Sequence, residues 1–118
     1  MKSLATLKRK LDKVFSLYIR TRDQGKPCIT CGKRHELEAG HFIPRQHLAT
    51  RWDEKNVNGQ CSYCNRWLHG NQAEYYLSLV RLYGKPTVDS LMRLKKTTVK
   101  LTRADYEKMI ERYKKTPP

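Results

Sequence analysis

Two short stretches decide the fold: Cys28-Ile29-Thr30-Cys31-Gly32, and Asn56-Val57-Asn58-Gly59-Gln60-Cys61-Ser62-Tyr63-Cys64-Asn65. All four cysteines of the chain fall in these two Cys-x-x-Cys pairs, with 29 residues between the pairs. Two residues between cysteines let both sulfurs of a tight knuckle point at one metal ion, and two knuckles complete a tetrahedron suited to zinc. Gly32 supports a knuckle, because amides that turn in toward a thiolate need a permissive backbone there. Two disulfides are the competing account, but nothing marks the chain as secreted. With Cys28, Cys31, Cys61 and Cys64 all bound, the shell is closed and leaves no position for water, so this zinc is expected to be structural.

A staple of this kind answers a shortage. At 118 residues and 14.0 kDa there is room for one domain, 1–118, whose apolar core is small. Hydrophobic residues make up 38%, with seven tyrosines and two tryptophans, too much for a disordered tail. The charge is strongly positive: 25 Lys and Arg against 11 Asp and Glu leave +14. Residues 1–26 carry eight basic and two acidic side chains, residues 27–92 eight and six, and residues 93–118 nine and three. A surface basic at both ends seeks polyanions. The chain has neither an apolar run long enough to span a membrane nor a signal-peptide stretch, which predicts no membrane partner and a cytoplasmic setting.

Outward from the knuckles the pattern is helical. Leu4, Leu7, Leu11, Val14 and Tyr18 recur in steps of three and four, with Phe15 and Ile19 widening the stripe, so an amphipathic helix is expected over 4–22. Its stripe is heptad-like and could also form a dimer seam. Residues 28–83 form the zinc-containing core, with strands near 36–42 and 57–60 and a helix over 65–83 that uses Leu68, Tyr75, Tyr76, Leu79 and Leu82 and stops at Gly84. Residues 87–115 give two basic helices. Thr87 is the expected N-cap of the first, which buries Val88, Leu91 and Met92; Thr102 with Asp105 is the capping box of the second, which buries Tyr106, Ile110 and Tyr113. Thr116-Pro117-Pro118 is expected to fray. The predicted class is α+β, mainly helical.

Between the knuckles the sequence runs Ala39-Gly40-His41-Phe42-Ile43-Pro44-Arg45-Gln46-His47. A histidine at a strand end, an asparagine in a loop and an asparagine after the last cysteine could face one cleft beside the zinc. This resembles the zinc-containing HNH, or ββα-metal, endonucleases. Over a longer stretch, Tyr18 to Asp23, Cys28 to Gly32, Ala39 to Arg45, Asn56 to Asn65 and His69-Gly70-Asn71 together resemble the NinG/Rap family of phage recombination nucleases, about residues 11–115. The Ala-Gly-His-Phe-Ile-Pro-Arg block is the most specific part.

The resemblance implies a metal-dependent endonuclease that cuts branched DNA such as Holliday junctions and D-loops, in the host cytoplasm if phage-encoded. His41 becomes the general base, and its ordinary pKa near 6.5 suits that task. Asn56 would orient the His41 ring, and Asn65 would hold a catalytic magnesium or manganese ion. Many HNH enzymes place an aspartate before the histidine as the first metal ligand; here that position is Gly40. Glu38, His47 and His69 are the candidate replacements, Glu38 being on the opposite strand face by alternation and His69 one helical turn after Asn65.

Lys13 and Arg20 on the first helix, and Lys95, Lys96 and Arg103 near the end, are expected arms for DNA duplexes, read by shape. Arg45 and Arg51 could hold phosphates near the cut or be ordinary surface residues. Trp52 and Trp67 are expected to pack in the core or beside the zinc, base stacking being the lesser alternative. Symmetric cutting of a junction would favour a homodimer. Two other classes remain open: a non-catalytic zinc-ribbon module that recruits other recombination proteins, and an RNA- or ribosome-associated zinc protein.

Overall fold

The computed structural model describes residues 1–115; Thr116, Pro117 and Pro118 lie outside the described residues. Helix α1 spans Leu4–Arg22 and is capped by Ser3, whose side chain accepts from the Thr6 amide. Leu7, Leu11, Phe15 and Ile19, each four residues apart, form its buried spine. They meet Tyr106, Ile110 and Tyr113 on the last helix, α5 (Arg103–Lys115), with Trp52 and Val57 closing the cluster. Each fully buried side chain of this size contributes about 1.5–3 kcal/mol. Val14 and Tyr18 are only partly buried and Leu4 is exposed, so the stripe is narrower than its spacing suggests. The α1 stripe that suggested a dimer seam is covered by α5 of the same chain.

The capping box forms as expected. The Thr102 amide donates to the Asp105 carboxylate and the Asp105 amide to the Thr102 hydroxyl.

Strands β1 (Leu37–His41) and β2 (Val57–Cys61) pair antiparallel, with Leu37 opposite Cys61 and His41 opposite Val57. Every β2 position is buried, although the strand reads Val-Asn-Gly-Gln-Cys. Burial of such a strand is tolerable because its polar groups are partnered. Asn58 Nδ2 donates to the Tyr75 hydroxyl, the Gly59 amide to Asp23, and Gln60 Nε2 to Thr30 and to the Gly70 carbonyl. Between the strands lies a short unexpected helix, α2 (Leu48–Arg51).

The helix expected over 65–83 is broken in two. A π-helical turn covers Tyr63–Trp67, and α3 runs Gln72–Tyr83. His69, Gly70 and Asn71 between them all have positive φ, at 51°, 90° and 49°. The buried Gln60 amide needs the Gly70 carbonyl, and the Gly70 amide bonds back to Cys64, so the chain must leave the helix here. Leu68 and Leu82, expected in the apolar set, are exposed, whereas Tyr75 and Leu79 are buried.

Helix α4 (Lys85–Leu94) also corrects the expectation, because it is capped at Gly84 rather than at Thr87. Pro86 sits in its first turn, where a missing N–H costs nothing. Val88 and Leu91 join Phe42, Ile43, Tyr75 and Leu79 in a second apolar cluster, while Met92 stays exposed. Among the described residues no helix is long and apolar enough to cross a membrane.

Candidate metal centre and histidine cavity

The two knuckles bring the four cysteine sulfurs within 4.8 Å of one another, with Cys31 Sγ and Cys61 Sγ 3.9 Å apart. Zn–S bonds of about 2.3 Å in a tetrahedron require sulfurs about 3.8 Å apart. The four cysteines could therefore hold a zinc ion. All four are free thiols, arranged as one cluster rather than as two bonded pairs. Gly32 has φ 73°, the permissive backbone the knuckle needs. The Cys61 amide donates to Cys28 Sγ at 3.3 Å and the Cys64 amide to Cys61 Sγ at 3.4 Å.

These amides separate the thiols. Burial pushes the Cys28 thiol up, but the Cys31 and Cys61 amides and the Thr30 hydroxyl overcome it and bring Cys28 down to about 6. Burial pushes Cys61 up to about 12 and raises Cys31 as well. One thiolate is thus prepared in advance, and further ionisation requires a compensating cation.

His41 ends β1 and lines a cavity of about 640 Å³ together with Asn65, His69, Asp12, Lys13 and Arg45. Its Nε2 lies 2.8 Å from the Arg51 carbonyl oxygen. A carbonyl only accepts, so Nε2 carries the proton and Nδ1 is the acceptor of the neutral ring. Burial holds the His41 pKa below 6.5 against the opposing effect of the Arg51 carbonyl. The neutral ring therefore prevails at neutral pH.

Asn56 forms no hydrogen bond with the His41 ring, contrary to the role carried over from the resemblance. It is fully buried; its Oδ1 accepts from the Ile43 amide and its Nδ2 donates to the Ile43 and Thr50 carbonyls. It fastens the ends of the segment 43–50 to each other, one residue before the carbonyl that holds His41.

Asn65 lies on the π-helical turn rather than at the start of a regular helix, and its Nδ2 donates to Glu38 Oε1 at 2.9 Å. Of the three candidates for the extra ligand, only His69 lines the cavity, and it does so from a left-handed backbone position rather than from a shared helical face. Glu38 touches Asn65 from outside the cavity and pairs with Arg66, and His47 caps α2 away from it. Among the described residues, the four cysteines are the sole group of three or more His, Cys, Asp or Glu side chains close enough to share a metal ion.

Gly40 proves to be a packing requirement. A Cβ there would lie 2.0 Å from Gln60 Oε1 and 2.8 Å from Gln60 Cβ. Any side chain at position 40 points at Gln60 instead of joining His41. Gln60 Oε1 is itself the one buried side-chain polar atom without a hydrogen-bond partner among the described residues, and it rests over the Gly40 α-carbon.

The decisive residue that the sequence reading missed is Asp12. Its carboxylate accepts from Arg51 Nη2 at 2.5 Å, Arg45 Nη2 at 2.8 Å and Trp52 Nε1 at 3.0 Å. Burial works against its charge, but Arg51 and Arg45 outweigh that and hold its pKa below 3.8. Arg51 is consequently largely buried and committed to this pair, which corrects its expected role as a free phosphate contact. Arg45 stays exposed beyond its bond to Asp12. A signal was available: Asp12 and Asp23 are the two acids among residues 1–26, and each is bound by two cations.

Of the remaining expected DNA contacts, Lys13 lies on the cavity rim. Arg20 is exposed beside Glu38 and Arg66, and Lys95 and Lys96 are exposed just past α4. Arg103 bonds the Lys2 carbonyl at the far end of α1. Trp52 belongs to the core as expected, but Trp67 is 76% exposed.

Sequence comparison gives the context. Residues 1–117 match the family described as Bacteriophage Lambda NinG protein. The chain is 35% identical over 77 residues to protein ninG of Escherichia phage 933W and to that of Salmonella phage P22, and 34% identical to that of Escherichia phage lambda. Each match covers 63% of this chain and 38% of the relative, so the chain aligns with well under half the length of these proteins. No solved structure matches. With a family match that runs through both cysteine knuckles and the His41 strand, the chain belongs to the NinG family.

Proposed function

We propose that this chain is a metal-dependent, structure-selective endodeoxyribonuclease of the HNH type that cuts branched DNA recombination intermediates such as Holliday junctions and D-loops. The observation that carries the proposal is the fixed, neutral His41 ring, with Nε2 bonded to the Arg51 carbonyl and Nδ1 left as base, on a cavity rimmed by Lys13 and Arg45. The order β1, β2 and a helical turn carrying Asn65 supports a ββα-metal core beside a structural zinc.

In this reading His41 Nδ1 takes a proton from water as the water oxygen bonds to phosphorus, and the bond from phosphorus to the leaving sugar oxygen breaks. Lys13 and Arg45 hold the neighbouring phosphates. Asn65, through its amide oxygen, and His69 are the residues that would hold magnesium or manganese. Such a cation, when bound, stabilises charge on the leaving oxygen. Paired cuts in a four-way junction would call for a homodimer.

The test is incubation of a labelled Holliday junction with Mg²⁺ or Mn²⁺ and either the native protein or His41→Ala. Cleavage by the native protein alone is the expected result. Intact DNA with both, despite tight binding, overturns the nuclease reading and leaves a DNA-binding or recruitment module. One observation favours that second reading: the carboxylates nearest Asn65 and His41, Glu38 and Asp12, are both engaged by arginine.

A further inference from the structure

The turn between Cys61 and α3 carries three large apolar side chains that the fold does not use. Tyr63 is 61% exposed, Trp67 76% and Leu68 41%. Neither Tyr63 nor Trp67 stacks on another ring or under a cation among the described residues. Contiguous exposed apolar surface marks interaction sites where scattered single residues do not. Its anchorage is rigid. Cys64 points inward to the metal centre, its carbonyl accepts from the Gly70 amide and its sulfur from Asn71 Nδ2.

The same turn also borders the His41 cavity. Asn65 and His69, which flank Trp67 and Leu68 in sequence, both line it. The cavity's basic residues are Arg9, Lys13 and Arg45, and its one acid, Asp12, is already paired. A polyanion drawn to that rim would lie against the turn through Asn65 and His69. The occupant that suits both a cationic rim and a flat, unpartnered indole is a strand with accessible base faces, since stacking on aromatic side chains is tolerant of sequence. Paired duplex offers no such faces except at its ends.

We propose that Trp67 is a stacking platform for an unpaired or unstacked nucleobase at a DNA branch point. The site gives this chain a means of selecting branched over linear DNA without reading sequence. This inference rests on the DNA-binding part of the function proposed above, not on cleavage.

The tryptophans make the test direct, because Trp52 is buried and Trp67 is not. The zinc-loaded full chain is titrated, without magnesium, with a forked oligonucleotide carrying unpaired bases and with a fully paired duplex of equal length. Tryptophan emission reports stacking, and the anisotropy of a dye on the DNA reports binding. Emission should be quenched by the fork and little changed by the duplex, and Trp67→Phe should abolish the quenching while keeping most of the affinity. Trp67→Ala should weaken fork binding about tenfold and duplex binding less than twofold. Binding of both DNAs with unaltered emission, or with equal affinities for native protein and Trp67→Ala, overturns the platform while leaving DNA binding intact. Absence of binding to either DNA overturns the DNA-binding reading and the platform together.

Discussion

His41 Nε2 stands 2.8 Å from the carbonyl oxygen of Arg51, and this bond fixes which ring nitrogen can act as a base. The ring is also largely buried, which holds its pKa below 6.5. Folding therefore favours the neutral form: below pH 6.5 the unfolded chain binds more protons than the native state, so the ring's contribution to stability is complete above pH 6.5 and is lost as pH falls through the folded value. The acid limb of cleavage should lie below pH 6.5 and vanish in His41→Ala. A titration of the His41 ring followed by NMR checks the first statement, and a midpoint at or above 6.5 contradicts it.

Asp12 should be needed for the geometry of this site through the arginines it binds. It binds the Arg51 side chain while the Arg51 carbonyl holds His41, so α1 is tied to the candidate base through one residue. Asp12→Asn keeps the shape but gives up the charge that two guanidinium groups share. Thermal unfolding should show a loss of about 1.5–3 kcal/mol, the range for hydrogen bonds to charged groups. Cleavage should fall more than DNA binding does, since the freed Arg45 is still cationic. An unchanged melting temperature would show that the pair is idle.

Gly40→Asp tests the HNH pattern against the packing found here. If position 40 lacked only a ligand, the aspartate would raise activity. Its Cβ instead meets Gln60 Oε1 at 2.0 Å, and its charge would be buried against an unpartnered carbonyl oxygen. Gly40→Ala should cost about 1–3 kcal/mol for overpacking, and Gly40→Asp more. Denaturant melts of both variants decide the matter, and a stable, more active Gly40→Asp would refute the packing account.

How much of this was legible in the sequence follows from what each residue depends on. The α1 spine, the strand that ends in His41 and the capping box at Thr102 are set by local spacing and chemistry, and they appear where expected. The break at 68–71 was not legible, because it serves a long-range bond between Gln60 and Gly70 while the local apolar pattern continues through it. Gly40 read as an omission for the same reason, since only the paired strand reveals Gln60 in that space. Asp12 looked like a minor charge on a basic helix. Its partners lie more than 30 residues away, where pairing cannot be inferred from spacing.

Loading of the cysteine centre should release protons and be coupled to folding. At pH 7 the Cys28 thiol, held at about 6, is already mostly ionised, whereas Cys31 and Cys61, the latter near 12, still carry their protons. Zinc binds thiolates, so at least these two protons must leave per ion bound. Calorimetry of zinc binding in buffers of different ionisation enthalpy should return a release of two or more protons at pH 7, and the apparent affinity should rise with pH. Because the knuckles hold β2 and the turn carrying Asn65, removal of zinc by a strong chelator should loosen this region first. Hydrogen exchange would then accelerate at 28–32 and 57–71 while the α1–α5 pair, whose core of Leu11, Phe15, Tyr106 and Ile110 is free of cysteine, stays protected longer. Uniform loss of protection along the whole chain would show instead that the two regions unfold as one unit.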